Sequence, residues 1–332
     1  MPLASRVRAA NLCPAIMLAA SSYYLHDLSP HLIRFTDTLA IHWYGLAYVL
    51  GFFFTYRIML FLARRGLSEL KPDQVADFIT LVALFGVVLG GRLGYLLLYN
   101  FDDFIHEPWI FFQFNKGGMA SHGGILGVAL FCLWYARRHH ISWTGLGDTL
   151  VCGAPIGIFL GRLANFINGE LFGRVTSVSW AVQFPTELHH HDYYAQGGRL
   201  IPGFPDAVQH SPEIIAWFEE NRGGREELMQ ILHPRHPSQL YEALGEGLLL
   251  CALLLWIRVR FPRLPHGALT GIFFLLYAVV RISLENVRQP DDGATPIWGL
   301  TKGQFFSLFM VVAGIGFLLF AWLRGKRPDP QS

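Results

Sequence analysis

Charge is the first thing this sequence lacks. Only 15% of its 332 residues are Asp, Glu, Lys or Arg, while 52% are hydrophobic. Soluble domains carry about 25% charged residues, so an ordinary soluble domain is excluded. A mean hydropathy of +0.35 points instead to an all-α polytopic membrane protein. The formal net charge of +2 gives no reason to expect a nucleic-acid partner, because in such a chain the placement of charge matters more than its sum. Cysteine is scarce as well. Cys13, Cys132, Cys152 and Cys251 show no CxxC spacing, and three of them lie inside apolar runs. That excludes a disulfide or metal framework and leaves small buried hydrophobes. Repeats and low-complexity segments are missing too. The run His189-His190-His191-Asp192 lacks a spaced partner of the kind zinc uses; it reads as a solvated loop, and no metal is expected.

Apolar runs are present in quantity. A membrane span needs about 20 mostly apolar residues, and seven segments meet that rule: 39–63, 75–98, 119–136, 148–167, 238–257, 267–284 and 304–323. They divide the chain into an N-terminal arm (1–38), four spans (39–167), an extramembrane head insert (168–237), three spans (238–323) and a tail (324–332). Arg64, Arg65, Lys71, Arg137, Arg138, Arg258, Arg260, Arg263, Arg324, Lys326 and Arg327 fall on one side of these spans. The opposite short loops hold Lys116, Arg288 and Lys302, diluted by Asp102, Asp103, Glu107, Asp291 and Asp292. The positive side is cytoplasmic, which places the N-terminus and the head outside and the C-terminus inside. Arg6, Arg8 and Arg34 in the arm pull weakly against this. Ala9–Ala20 is apolar but too short to span, and reads as an amphipathic or disordered leader. A cleaved signal peptide or a true start at Met17 are the alternatives.

The polar residues within the spans cluster by depth. At about 1.5 Å of rise per residue, Arg162 and Arg281 lie about 21 Å from the inner face and Arg92 about 26 Å. His122 and Glu242 lie about 5 and 6 Å below the outer edge on descending spans. His42 and Tyr44 open the first span at that same end. In the inner half little is expected beyond Ser and Thr. Polar groups at membrane depth tend to face a cavity and to bind or react. A site serving the outer leaflet is therefore expected, and a transport pathway running through both halves is disfavoured.

Its centre is the stretch 161–174, Gly-Arg-Leu-Ala-Asn-Phe-Ile-Asn-Gly-Glu-Leu-Phe-Gly-Arg, with Arg162, Asn165, Asn168 and Glu170. Arg162 shares a helix face with Asn165, and Arg281 with Glu285. Arginines only partly neutralised by glutamates suit an anionic ligand, and their forks match phosphate. In a membrane that means a phospholipid headgroup. Arg92 reads equally as a partner of Glu242 or as a ligand contact. Glu246 sits where it can pair with either arginine, and Arg174 caps the site or is a solvated charge. Glycines 90, 91, 94, 123, 124, 127, 157 and 161 serve close helix packing or leave room for a ligand. His122, in Ser-His-Gly-Gly, is equally a structural residue and a proton acceptor.

The chain resembles bacterial prolipoprotein diacylglyceryl transferases. The resemblance runs through His42-Trp43-Tyr44-Gly45, Gly90-Gly91-Arg92-Leu93-Gly94-Tyr95, His122-Gly123-Gly124 and 161–174, then His236–Glu242, Arg281–Glu285 and Arg288–Asp291. It covers about residues 22–325, with Ala164 where glycine and Phe172 where tryptophan is usual. It implies seven spans and a periplasmic head in the inner membrane, and an enzyme that needs no cofactor. That enzyme would transfer the diacylglyceryl group of phosphatidylglycerol to the lipobox cysteine of a prolipoprotein signal peptide, releasing glycerol 1-phosphate. His122, Arg162 and Arg281 would be catalytic. Tyr44, Arg92, Asn165, Asn168, Glu170, Glu242 and Glu285 would bind substrate, with the glutamates orienting arginines. A transporter and a non-catalytic phospholipid-binding protein are the rival classes.

Overall fold

The computed structural model describes residues 23–36, 40–113, 117–190, 193–194, 196–198, 200–290 and 297–325. The leader with Cys13 and Met17 lies outside them, as do Lys116, His191, Asp192, Asp291, Asp292, Lys326 and Arg327. Ten helices stand out among the described residues. In chain order they are α1 (Trp43–Arg64), α2 (Pro72–Tyr99), α3 (Phe101–His106), α4 (Ser121–Arg138) and α5 (Trp143–Asn168), then α6 (Ser211–Asn221), α7 (Gly224–Ile231), α8 (Ser238–Arg260), α9 (Ala268–Leu284) and α10 (Lys302–Arg324). Five of them, α1, α2, α5, α8 and α10, are long and apolar enough to cross a membrane. The other two expected spans coincide with α4 and α9, which have 18 and 17 residues.

Local signals fix the ends. Ser142 caps α5 by accepting from the Gly145 amide at 3.1 Å. Gly169, at φ +69°, closes the same helix in the left-handed conformation that glycine adopts without strain. Thr301 and Gln304 form a capping box on α10. Asp148 does not open a span as expected. It lies in the second turn of α5, and its carboxylate takes the Gly267 and Thr270 amides at the start of α9, at 2.8 and 2.9 Å. Measured from Trp143, Arg162 is therefore about 28 Å along its helix.

Packing separates the glycines into two kinds. A Cβ on Gly90 would stand 2.7 Å from the Gly123 carbonyl oxygen, and one on Gly94 or Gly123 would strike the facing glycine backbone. These residues let α2 and α4 touch backbone to backbone. A Cβ on Gly45, Gly157 or Gly161 would meet nothing within 4 Å, so beside Tyr44 and Arg162 the chain leaves space. The helices α1 and α5 run antiparallel, with the Thr55 hydroxyl on the Gly153 carbonyl at 3.2 Å. Cys132, Cys152 and Cys251 are buried, as expected.

The segment expected to form a head contributes most of a second core, built from Leu25, Leu188, Tyr193, Ile201, Ile214, Ile215, Phe218, Leu228 and Leu232. Five short strands accompany it: β1 (Tyr24–Leu25), β2 (His31–Arg34), β3 (Ala40–His42), β4 (Val182–Gln183) and β5 (Pro234–Arg235). The arm belongs to this unit, since β1 pairs with β4 in parallel and β4 pairs with β5 antiparallel. At its centre the Glu187 carboxylate accepts from the Arg235 guanidinium and from the His233 amide. His189 and His190 are not a solvated loop. His189 bonds the Val208 carbonyl at 2.7 Å, and His190 packs on Phe172.

Two outcomes follow for stability. Ala at Gly94 should cost about 1–3 kcal/mol through the forced helix separation, whereas Ala at Gly161 should be tolerated; thermal unfolding in detergent compares them. His26 is fully buried on Ser211 at 2.9 Å, and burial lowers its pKa below the usual 6.5. The unfolded chain therefore takes the proton first as pH falls. Stability from this group is full above about 6.5 and is lost as pH drops toward the lowered folded value. Protease resistance of the head should fall between about pH 7 and 5, and His26→Gln should flatten that dependence.

Candidate active site

Three sequence-distant segments are stitched around Gly169–Arg174. The Arg174 amide donates to Val287 and the Gly173 amide to His236, both at 2.8 Å. Gln239 and Ser238 donate to the carbonyls of Glu170 and Leu171 at 2.7 and 3.1 Å. Leu171 is held at φ +54°, an uncommon conformation for a branched residue and one that persists only where surrounding bonds impose it. These ties bring the N-terminal turns of α8, the C-terminal turns of α5 and α9, and the segment 285–289 to one end of the bundle.

A charge cluster occupies that end. Arg162 of α5 reaches Glu242 and Glu246 of α8 at 2.9 and 3.1 Å. Arg281 of α9 reaches the same two carboxylates at 3.0 and 3.3 Å, and Glu285 at 3.2 Å. Arg288 adds a contact to Glu242 at 3.5 Å, and the Tyr277 hydroxyl donates to Glu246 at 3.2 Å. Glu246 sits in a stretch of α8, Ala243–Leu249, that widens to π-helix, a local irregularity common at functional sites. The side chains of both glutamates are completely buried, while Arg162 and Arg281 keep 19% and 13% exposure. The carboxylates thus hold the guanidiniums from behind. Each five-donor fork retains N–H groups on its accessible edge.

The expectation of arginines only partly neutralised by glutamates does not hold. Arg162, Arg281 and Arg288 face Glu242, Glu246 and Glu285, so the cluster is formally neutral and its arginines are not in excess. The physical reason is the low dielectric, in which an uncompensated buried charge is expensive. Glu246, expected to pair with either arginine, pairs with both, its i, i+4 spacing from Glu242 setting the two carboxylates on one helix face. Tyr277 and Arg288 were not among the candidate site residues and join the cluster through tertiary contact.

Beside this cluster lies a second one. Tyr44 donates to the Glu170 carboxylate and accepts from Asn165, whose amide also donates to Glu170 at 3.1 Å. Glu170, expected to orient an arginine, instead takes these neutral donors. Asn165 is one turn from Arg162, which links the two groups along α5. The side-chain oxygen of Asn168 is buried without a hydrogen-bond partner among the described residues.

His122 stands exposed in the first turn of α4, its ring 4.9 Å from that of Phe306. Phe306 is one turn beyond Gly303 in α10, where an added Cβ would press on the Glu285 carboxylate. That places His122 at the same end of the bundle. Arg92 is differently engaged. It is 2% exposed, and its guanidinium binds the carbonyls of Ile110, Phe111, Gln113, Gly117 and Gly118. It therefore satisfies the irregular backbone that leads into α4.

The half of the bundle away from the charge cluster, where little beyond Ser and Thr was expected, is less apolar than that. Asp148 caps α9 there, and Arg258 binds the Leu67 carbonyl at 2.7 Å. Arg57, on α1, also lies there.

The sequence model of the prolipoprotein diacylglyceryl transferase family matches residues 30–320. Among similar proteins are three named phosphatidylglycerol–prolipoprotein diacylglyceryl transferase. That of Bdellovibrio bacteriovorus is 38% identical over 335 residues, covering 90% of this chain and 94% of its own. That of Neisseria gonorrhoeae is 38% identical over 304 residues, covering 89% and 96%. That of Xylella fastidiosa is 39% identical over 314 residues, covering 93% and 96%.

Glu246→Gln should destabilise the protein by about 3 kcal/mol, because it leaves a surplus buried positive charge. Glu170→Gln keeps an acceptor for its neutral donors and should cost about 1 kcal/mol. Equal shifts in thermal unfolding would contradict this ranking.

Proposed function

The chain belongs to the prolipoprotein diacylglyceryl transferase family, and from that premise we infer that it transfers the diacylglyceryl group of phosphatidylglycerol to prolipoproteins. What carries this at the level of residues is the pair of largely buried but still accessible guanidiniums, Arg162 and Arg281, held from behind by buried carboxylates. We place the reaction at the outer leaflet of the bacterial inner membrane, in a seven-span body with a periplasmic head. The acceptor is the lipobox cysteine of the signal peptide.

The lipobox thiolate attacks the glyceryl carbon of phosphatidylglycerol. A carbon–sulfur bond forms, the carbon–oxygen bond to phosphate breaks, and glycerol 1-phosphate leaves. The thiol proton passes to His122, whose ring makes no hydrogen bond among the described residues. The starting phosphodiester carries one negative charge. The departing monoester carries nearly two, since its second pKa is about 6. Donors aimed at the phosphate therefore bind the transition state better than the ground state, which is what accelerates a reaction. The accessible edges of Arg162 and Arg281 supply those donors. Because the cluster is neutral at rest, it acts by orienting donors and not by a general positive field. Tyr44, Asn165 and Glu170 form a polar wall one turn away, and the space over Gly45, Gly157 and Gly161 receives the lipid. Asn168 offers its unpartnered oxygen to substrate, and Arg92 supports the entrance to α4.

Purified protein, phosphatidylglycerol and a lipobox peptide test this reading. Arg162→Lys should lose about 100-fold or more in rate, since a point charge does not replace a fork that spans two carboxylates and a phosphate. Transfer near the wild-type rate would refute the clamp. His122→Asn should abolish the alkaline rise in rate that a general base produces. A profile parallel to wild type assigns the proton to another group.

A further inference from the structure

The far end of α1 carries charge that neither the fold nor the proposed reaction uses. With about 100° between successive residues, Arg57, Leu60, Phe61, Arg64 and Arg65 share one sector of roughly 140°. The buried residues of the helix, Gly51, Thr55, Met59, Leu62 and Ala63, lie on the opposite side. The arginine face therefore points away from the protein. Its five residues line a recess of about 270 Å³. Arg57, Arg64 and Arg65 form no ion pair among the described residues; Arg65 lies over the Phe61 ring at 4.3 Å. Glu69, close in sequence, is engaged by His266 at 3.1 Å and by the Ser142 amide at 3.4 Å.

Depth makes these arginines unusual. Tyr44 meets Asn165 at one end of the α1–α5 pair, and Thr55 meets Gly153 midway. Arg57 lies about 20 Å below Tyr44 and still about 10 Å above Arg64. It is thus two turns inside the helix end, on the face turned to lipid. A guanidinium there needs a counter-ion, and its long stem reaches toward the interface. That brings it to the level of Arg64 and Arg65. The anion present at this level is a lipid phosphate, and basic recesses at the ends of spans bind such headgroups. Leu60 and Phe61 supply an apolar floor for the glyceryl backbone.

We propose that Arg57, Arg64 and Arg65 form a binding site for the phosphate of an anionic phospholipid in the leaflet opposite the charge cluster. The site rests on α1 crossing the membrane and not on the transfer reaction. Occupancy neutralises the exposed guanidiniums and ties down the helix whose other end presents Tyr44.

Native mass spectrometry of the full chain tests it, with phosphatidylserine as an anionic probe and phosphatidylcholine of the same acyl chains as the neutral one. Wild type should retain phosphatidylserine at least about fivefold over phosphatidylcholine. The triple variant Arg57→Gln, Arg64→Gln, Arg65→Gln should lose that preference. A control pair at the same end of α4, Arg137→Gln with Arg138→Gln, should keep it. Transfer activity of the triple variant in detergent should stay near wild type, so failure of the catalytic reading would not touch this result. Equal retention of the two lipids by wild type overturns the proposal. An equal loss in the control pair does so as well, because it assigns the preference to the general charge of that face. Competition by inorganic phosphate at the lipid's own concentration identifies a free-phosphate site instead. If the triple variant does not fold, Arg57→Gln alone should lower the preference while Arg57→Lys retains it; no difference between these two and wild type overturns the proposal.

Discussion

Two fully buried carboxylates govern the arrangement of this protein. Glu242 and Glu246 lie one turn apart on α8, with their side chains at 0% exposure. In a low dielectric each needs a cation and hydrogen-bond donors, because an isolated buried charge is unstable. Arg162 from α5 and Arg281 from α9 meet that need, and each arginine touches both carboxylates. Three helices are joined by this requirement. Their termini are then drawn together by the backbone ties between Gly173, Arg174, His236 and Val287.

The same pairing determines what the site offers a ligand. A guanidinium fixed by carboxylates on its inner edge loses little conformational freedom when an oxyanion arrives on its outer edge. Preorganised donors of this kind favour the state in which negative charge has grown. Glycine-lined space over α5 and α1 adjoins the donors, while the glycines of α2 and α4 are closed against each other. Small residues in one chain thus perform two opposite tasks, and only their neighbours distinguish them.

Much of the fold was legible. Apolar run length located seven helices to within a few residues, five of them meeting the length and hydropathy needed to cross a membrane. The pairing of Arg281 with Glu285 and the proximity of Tyr44 to Asn165 followed from helical spacing and common depth. Errors came where depth stood in for contact. Arg92 shares the depth of the site but binds the carbonyls of Ile110, Phe111, Gln113, Gly117 and Gly118. Glu170 takes Tyr44 and Asn165 instead of an arginine. Asp148 was expected to open a span, yet it lies in the second turn of α5 and its carboxylate closes the start of α9.

The sequence by itself determined that the chain is helical, apolar and membrane-bound, with family-specific polar motifs at one end. Composition and the 3.6-residue period are local properties, and they survive without knowledge of partners. Tertiary structure alone decided which charges cancel. A guanidinium looks the same in the chain whether it faces two carboxylates, five carbonyls or lipid. Its chemistry depends on the dielectric and the counter-ion supplied by helices that are close in space and as much as 119 residues apart from Arg162 to Arg281 in the chain.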